Sequence, residues 1–200
     1  MHDKSLMVMR KYQPHAKNIK PFLDEVLEWL KKLFKSNKID EAFKGFFKLS
    51  DEAEILLKKY ADNAILGYTK LNRPTVVSVL EGNGKRVFAY SNKAKLNADE
   101  IPKGLHPLVT KWLNDANELL KQIPHHGKCA EPSAISKWLW EIDPKGKMNI
   151  KQARDEFEGV VSKAVNIESK KIKPIEHAKY KEACDSCNPL LKYFNITEVY

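Results

Sequence analysis

Cysteine occurs three times in the chain, at Cys129, Cys184 and Cys187, each time in a short polar stretch ahead of an apolar-periodic one. Cys184-Asp185-Ser186-Cys187 sets two thiolates three residues apart, a spacing at which both reach one metal ion from the first turn of a helix. Cys129 brings a third sulfur from elsewhere in the chain. Three protein donors leave the fourth tetrahedral position for water, the mark of a catalytic rather than a structural zinc site. Glu131, two residues beyond Cys129, can then stand beside that position without ligating the metal and act as general acid and base. The chemistry available to such a group is hydrolysis.

Zinc deaminases of nucleobases use this pairing of a thiolate-rich metal site with a non-ligating glutamate, attacking C4 of cytosine or C6 of adenine. Other readings of the same residues stand beside it. His126-x-x-Cys129 has a spacing that would close the coordination as His126, Cys129, Cys184 and Cys187, making the zinc structural and the protein a basic nucleic-acid-binding module. A redox Cys-x-x-Cys uses only two of the three thiols and gives Glu131 no task. His125 and His126 can also be loop histidines at the mouth of a site. Three cysteines cannot all pair internally, which disfavours a disulfide scaffold and favours metal or redox chemistry in a reducing compartment.

The elements that must position these residues fall into two parts. Residues 1–68 read as a helical region, with apolar residues at helical spacing from Phe22 to Phe34, a short helix over 42–47, and a third helix behind a Ser50 N-cap whose stripe is Ile55, Leu56, Tyr60 and Ile65. Residues 69–200 read as the catalytic domain. Thr75–Leu80 and Arg86–Tyr90 flank Gly82-Asn83-Gly84 as a β-hairpin. A loop over 92–104 precedes a helix from Pro107 through Leu120. Pro132 suits the first turn of the next helix, whose buried face is Ala134, Ile135, Trp138, Leu139 and Ile142. Cys129 and Glu131 thus lie at a helix N-terminus, where the dipole favours negative charge. Asn149 and Gln152 have capping-box spacing. Val160–Ile167 suggests a buried strand, with a helix extension as the alternative. A last helix begins near Cys184, and Ile196–Tyr200 forms a final strand.

The stretches HGKCAEPSAISKW and ACDSCNPLLKYFNI resemble the YwqJ-like branch of bacterial polymorphic-toxin deaminases, over roughly residues 70–200. The resemblance implies a cytidine-deaminase-like α/β fold, a three-layer sandwich around a mixed sheet, with the first helices as an appendage. It implies Cys129, Cys184 and Cys187 as ligands of one zinc ion and Glu131 as the proton shuttle. It further implies a toxin effector that acts in the cytoplasm of a target cell, and it allows for a cognate immunity protein. One departure is Ala183, where such enzymes commonly carry proline before the Cys-x-x-Cys.

A net charge of +9 favours a polyanionic partner, nucleic acid or nucleotide. Lysine carries most of it. From Ser169 to Lys181 there are five lysines against one glutamate, and this run leads straight into the Cys-x-x-Cys. Lys170, Lys171, Lys173 and Tyr180 are therefore candidate substrate contacts, with His126, while Lys128 is a candidate positive neighbour of the sulfurs. A solvated lysine loop is the plainer account of the same run. No apolar run reaches the length of a membrane span, and the first residues lack the apolar stretch of a signal peptide.

Overall fold

The computed structural model describes residues 47–91 and 104–200, which lie within one compact unit from Phe47 to Tyr200. The helices expected over 22–34 and 42–47, and most of the 92–104 loop, fall outside the described residues. The described elements are α1 (Asp51–Gly67), β1 (Val76–Gly82), β2 (Lys85–Tyr90), α2 (Pro107–Asp115), α3 (Glu118–Lys121), α4 (Ala130–Ile142), α5 (Ile150–Glu156), β3 (Val161–Asn166), α6 (Cys187–Tyr193) and β4 (Thr197–Glu198). This is a mixed α/β architecture. Its four strands run in the order β2-β1-β3-β4, antiparallel except for the parallel β3–β4 pair.

The hairpin closes through Asn83 and Gly84, both at positive φ (51° and 71°), the geometry that a two-residue turn needs to follow the strand twist. Pairing of Ser78 with both Ala89 and Ala164 fixes the register across three strands. The two faces of the sheet then separate by residue parity. Val77, Val79, Phe88, Tyr90, Val161 and Val165 pack with α1, whereas Leu80, Val87 and Ala89 pack with α4 and the later helices.

Ser50 caps α1 as expected, its hydroxyl accepting from the Ala53 N–H at 3.1 Å. The buried stripe differs from the expected one. Ala53, Leu57, Ala61 and Ala64 face the sheet, while Ile55 is 69% exposed and Leu56, Tyr60 and Ile65 are half-buried. Alanines let the helix lie close over the strands, so the inner face carries smaller side chains than its flanks. This helix, read from sequence as part of the region 1–68, is packed as one layer of the sheet unit. At its far end Arg73 donates to the carbonyls of Ile65 and Tyr68 and also to that of Glu168, tying the end of α1 to the segment that follows β3.

The expected 107–120 helix is broken. Ala116 leaves helical geometry, Asn117 caps α3 through the Leu120 N–H, and Leu119 is left 76% exposed. The helix carrying Glu131 follows expectation closely: Ala134, Ile135, Trp138 and Leu139 are fully buried, although Ile142 lies at the surface. Trp138, Phe157 and Phe194 form a chain of ring contacts at 5.5 and 5.8 Å, which seats α6 against α4 through α5. The Asn149/Gln152 capping box is present in both directions at 3.0 Å. Val161–Asn166 is a strand and not a helix extension.

Candidate metal centre and its pocket

Cys129 is the N-cap of α4 and makes no side-chain capping bond, which leaves its sulfur free to face other groups. The approach to it is a tight path, with His126 N–H bonded to the Ile123 carbonyl and Lys128 N–H to that of His125, both at 2.9 Å. Gly127 sits at φ +72°, and a Cβ there would meet the Leu113 side chain at 3.0 Å, so both backbone and space call for glycine. On the other side, Cys184 lies before the last helix rather than within it. Its carbonyl accepts from the N–H groups of Cys187 and Asn188 at 2.8 and 2.9 Å, making Cys-x-x-Cys a turn that ends where α6 begins.

These two stretches bring the Cys129 sulfur beside that of Cys184 and, in a second group, beside that of Cys187. Cys129 Sγ and Cys184 Sγ are 3.5 Å apart, far beyond a disulfide bond, and all three thiols are free. Donor atoms of Cys129, Glu131 and Cys187 lie within 4.8 Å of one another, as do those of His125, Cys129 and Cys184. The Cys129–Cys184 separation suits zinc: bonds of about 2.3 Å to sulfur put tetrahedrally arranged sulfurs roughly 3.8 Å apart. The electrostatics agree. Hydrogen bonds donated by Cys129 and Cys187, with backbone N–H groups of Cys187 and Ser186, hold the Cys184 thiol far below its ordinary pKa. The Cys184 contact pushes the Cys129 thiol up against a lowering by Cys187, and contacts with Cys129 and Cys184 push the Cys187 thiol up, burial adding to both. A cation bound by these sulfurs would favour their deprotonated forms. Glu131 is 4% exposed, and burial raises its carboxyl pKa.

The structure does not bring His126 to the sulfurs. Its Nε2 donates to the Leu113 carbonyl at 3.0 Å, so its Nδ1 is the acceptor for the Ser186 hydroxyl at 2.6 Å. Both ring nitrogens are occupied, and the adjacent His125 takes the place next to Cys129 and Cys184 that the spacing had suggested for His126. The alternating register of the His125-His126 turn decides this, and residue spacing cannot.

A cavity of about 530 Å³ opens beside the cluster, lined by His125, Cys129, Glu131 and Cys184 on one side. Its floor is the open end of the sheet: Ser91 after β2, Thr75 and Val76 at the start of β1, and Asn166 at the end of β3. Of the expected lysines, Lys171 lines it, and so do Lys128 and Lys181, whereas Lys170 and Lys173 do not. Tyr180 is also elsewhere: its hydroxyl donates to Glu198 Oε1 at 2.8 Å, and its backbone bridges to Val165. The same Glu198 oxygen accepts the Ala183 N–H at 2.6 Å. A proline at 183 would have no N–H to give, so the departure at this position has a structural use. Sequence reasoning passed over Asn166 and Ser91. The available signal was a polar residue closing each of two β-branched or aromatic runs.

The YwqJ-like deaminase family matches residues 67–196, which includes the hairpin, both cysteine stretches and the intervening strand. The chain belongs to this family. No curated protein and no solved structure gives a match.

Proposed function

We propose that the protein is a zinc-dependent hydrolytic deaminase of a nucleobase, cytosine or adenine, presented as a nucleotide or within nucleic acid. Its layering, α1 on one sheet face and α4 with α6 on the other, is in this reading that of the cytidine-deaminase-like fold. Cys129, Cys184 and Cys187 would hold one zinc ion, which supplies the Lewis acidity that brings a water's pKa towards neutrality. Glu131 accepts a proton from the attacking water and delivers it to the ring nitrogen. It then passes the second proton to the departing amine, so that water and the amidine carbon yield a carbonyl and ammonia. The observation that carries the reading is the Glu131 carboxylate, buried at the N-terminus of α4 within 4.8 Å of the Cys129 and Cys187 sulfurs and lining the cavity. A glutamate with only a capping task would be solvated.

A second reading draws on His125, whose ring reaches Cys129 and Cys184. With His125 as fourth donor the zinc would be structural and the protein a basic nucleic-acid binder. Delivery into a target cell as a toxin, with a cognate immunity partner, rests on the family resemblance. The deciding experiment incubates the zinc-loaded full chain with mixed nucleic acids and nucleotides and weighs the recovered bases. A gain of about one mass unit per base, from amine to carbonyl, supports deamination. Unchanged bases under every condition favour the structural-zinc reading.

A further inference from the structure

We infer that Asn166 reads the ring edge of the substrate, and that the substrate unit is a phosphorylated nucleoside whose phosphate is met by Lys128, Lys171 and Lys181. This deepens the proposed function and rests on it for the position of the reacting ring.

Asn166 is 8% exposed, and its backbone is fully engaged, the N–H with the Lys179 carbonyl at 2.9 Å and the C=O with the Ala178 N–H at 2.8 Å. Its side-chain amide has no hydrogen-bond partner among the described residues, yet it lines the cavity beside Cys129 and Glu131. The amide faces the cavity and is not sealed from solvent, so it is open to a ligand, and the last position of a β-branched strand could as readily hold an apolar residue. The register opposite explains why the amide reaches the cavity. Asn166 pairs with Val76, two residues beyond the Ser78–Ala164 pair and so on the same sheet face, the one that α4 covers. An amide offers one donor pair and one acceptor, which matches the mixed donor and acceptor edge of a pyrimidine or purine ring.

The charge around the mouth supplies the second half. Lys128, Lys171 and Lys181 reach the cavity from two segments, the His125–Lys128 turn and the stretch between β3 and the Cys-x-x-Cys. Among the described residues none of the three is in an ion pair, and two carboxylates, Glu131 and Glu182, share the lining. The segment from Ile167 to Glu182 is well anchored, with His177 bonded to Asp62 of α1 at 2.8 Å and to the Glu168 N–H at 3.1 Å. It therefore holds Lys171 and Lys181 at the rim of a built pocket. A cavity of this size takes a base with its sugar and phosphate.

The test measures binding by the zinc-loaded full chain in a Glu131→Gln background, which cannot turn the ligand over. The probes are cytidine and adenosine, their 5′-monophosphates, and short single strands of dC and dA, titrated at low salt. At least one phosphorylated probe should bind, and Asn166→Ala should weaken it by about tenfold or more. Asn166→Leu should weaken it similarly while leaving the melting temperature unchanged or higher, which a merely structural asparagine would not do. Lys171→Ala with Lys181→Ala should weaken monophosphates but not nucleosides. Equal affinity for monophosphate and strand identifies a free nucleotide as the source, and preference for the strand identifies nucleic acid. No binding by any probe, or full binding by both Asn166 variants, overturns the inference. Deamination by a chain with Glu131 intact that is equally fast with Asn166→Ala would defeat this inference alone. Asn166-dependent binding without deamination would defeat the enzymatic reading and leave the pocket's ligand class standing.

Discussion

The Ser186 hydroxyl and the His126 ring, 60 residues apart in sequence, meet at 2.6 Å and lock the Cys-x-x-Cys turn to the path that leads into Cys129. Ser186 is 1% exposed, and the other nitrogen of His126 is held by the Leu113 carbonyl of α2. The two cysteine stretches are thus fixed to each other by protein bonds before any metal is considered. Ligand geometry set in advance by such supporting contacts is how metal sites gain affinity without added donors.

The first prediction separates the two histidines. Replacing His126 with phenylalanine strands the Ser186 hydroxyl and the Leu113 carbonyl, at a cost of about 1–3 kcal/mol. Melting temperature should fall while one zinc per chain is still bound at saturating metal. His125→Ala, at an exposed position, should leave stability of the metal-free protein nearly unchanged. If His125 is a fourth ligand, its loss appears in the zinc titration. Metal analysis and thermal melts on the two variants together assign both rings.

The second concerns the metal. If three thiolates hold zinc, its binding energy contributes to folding, so a strong chelator should lower the melting temperature and added zinc should restore it. Cys187→Ser, at a 1% exposed position in the core, should lose the metal and more stability than Cys184→Ser at the half-exposed rim. A chain that melts identically with and without chelator would remove zinc from the account.

The chemistry was far more legible in the sequence than its surroundings. Cys129, Glu131, Cys184 and Cys187 announce themselves because rare residue types at fixed spacing have few uses. The hairpin and the capping box were equally plain, since Asn83-Gly84 and Asn149/Gln152 carry local geometry in their own side chains. What periodicity misplaced depends on partners distant in sequence. Ala53, Ala61 and Ala64 form the inner face of α1 because small side chains let the helix lie close on the sheet, which a search for large apolar residues overlooks. His126 faces Ser186 and His125 faces the sulfurs because of a turn that only the tertiary path sets. Lys181 and Asn166 reach the cavity through strand register, a relation between segments.

A third prediction follows from α1. A chain lacking residues 1–46 retains the unit that begins at Phe47 and should fold and bind zinc. A chain starting at residue 69 uncovers Val77, Val79, Val161 and Val165 and should be insoluble. Soluble, zinc-binding protein from the shorter chain would show that α1 is an appendage after all. Solubility and metal content of the two products are the measurements.

Acid should weaken the fold through His106 and Asp143, whose side chains meet at 3.3 Å beneath α2 and α4. Burial holds the His106 ring below its ordinary pKa, and the Asp143 carboxylate only partly offsets this. Desolvation pushes Asp143 up, but the Met148 and Lys147 N–H groups and the His106 ring outweigh it and hold the carboxyl low. Both folded values lie below the unfolded ones, so the unfolded chain binds more protons as pH falls and stability declines with acid. The decline starts near pH 6.5 for the histidine and near about 3.9 for the aspartate, and each ends at its lower folded value. Between pH 7 and pH 5 the wild-type melting temperature should drop further than that of His106→Gln. Equal drops would assign the acid sensitivity to other groups.

The last prediction turns on Glu131 and divides a catalytic zinc from a structural one. Glu131→Gln keeps the size and polarity of the side chain but cannot take a proton from water or return it to the ring. General acid–base contributions are typically about 10²- to 10⁴-fold, and in the deaminase reading one carboxylate serves successive transfers, so deamination should fall by at least that much. The glutamate is buried, and burial raises its carboxyl pKa, which marks the charged form as costly in this position. A neutral amide relieves that cost, so the melting temperature should hold or rise, as it does when an active-site charge is traded away. Zinc content should stay at one per chain. If the zinc is structural, Glu131 is only an acid at the N-terminus of α4, worth about 0.3–1 kcal/mol through the helix dipole. The variant would then melt slightly lower and keep whatever effect the protein has on cells. Activity or toxicity, zinc content and melting temperature, measured side by side on this one variant, separate the two cases. Undiminished activity with zinc retained would end the assignment of Glu131 as proton shuttle.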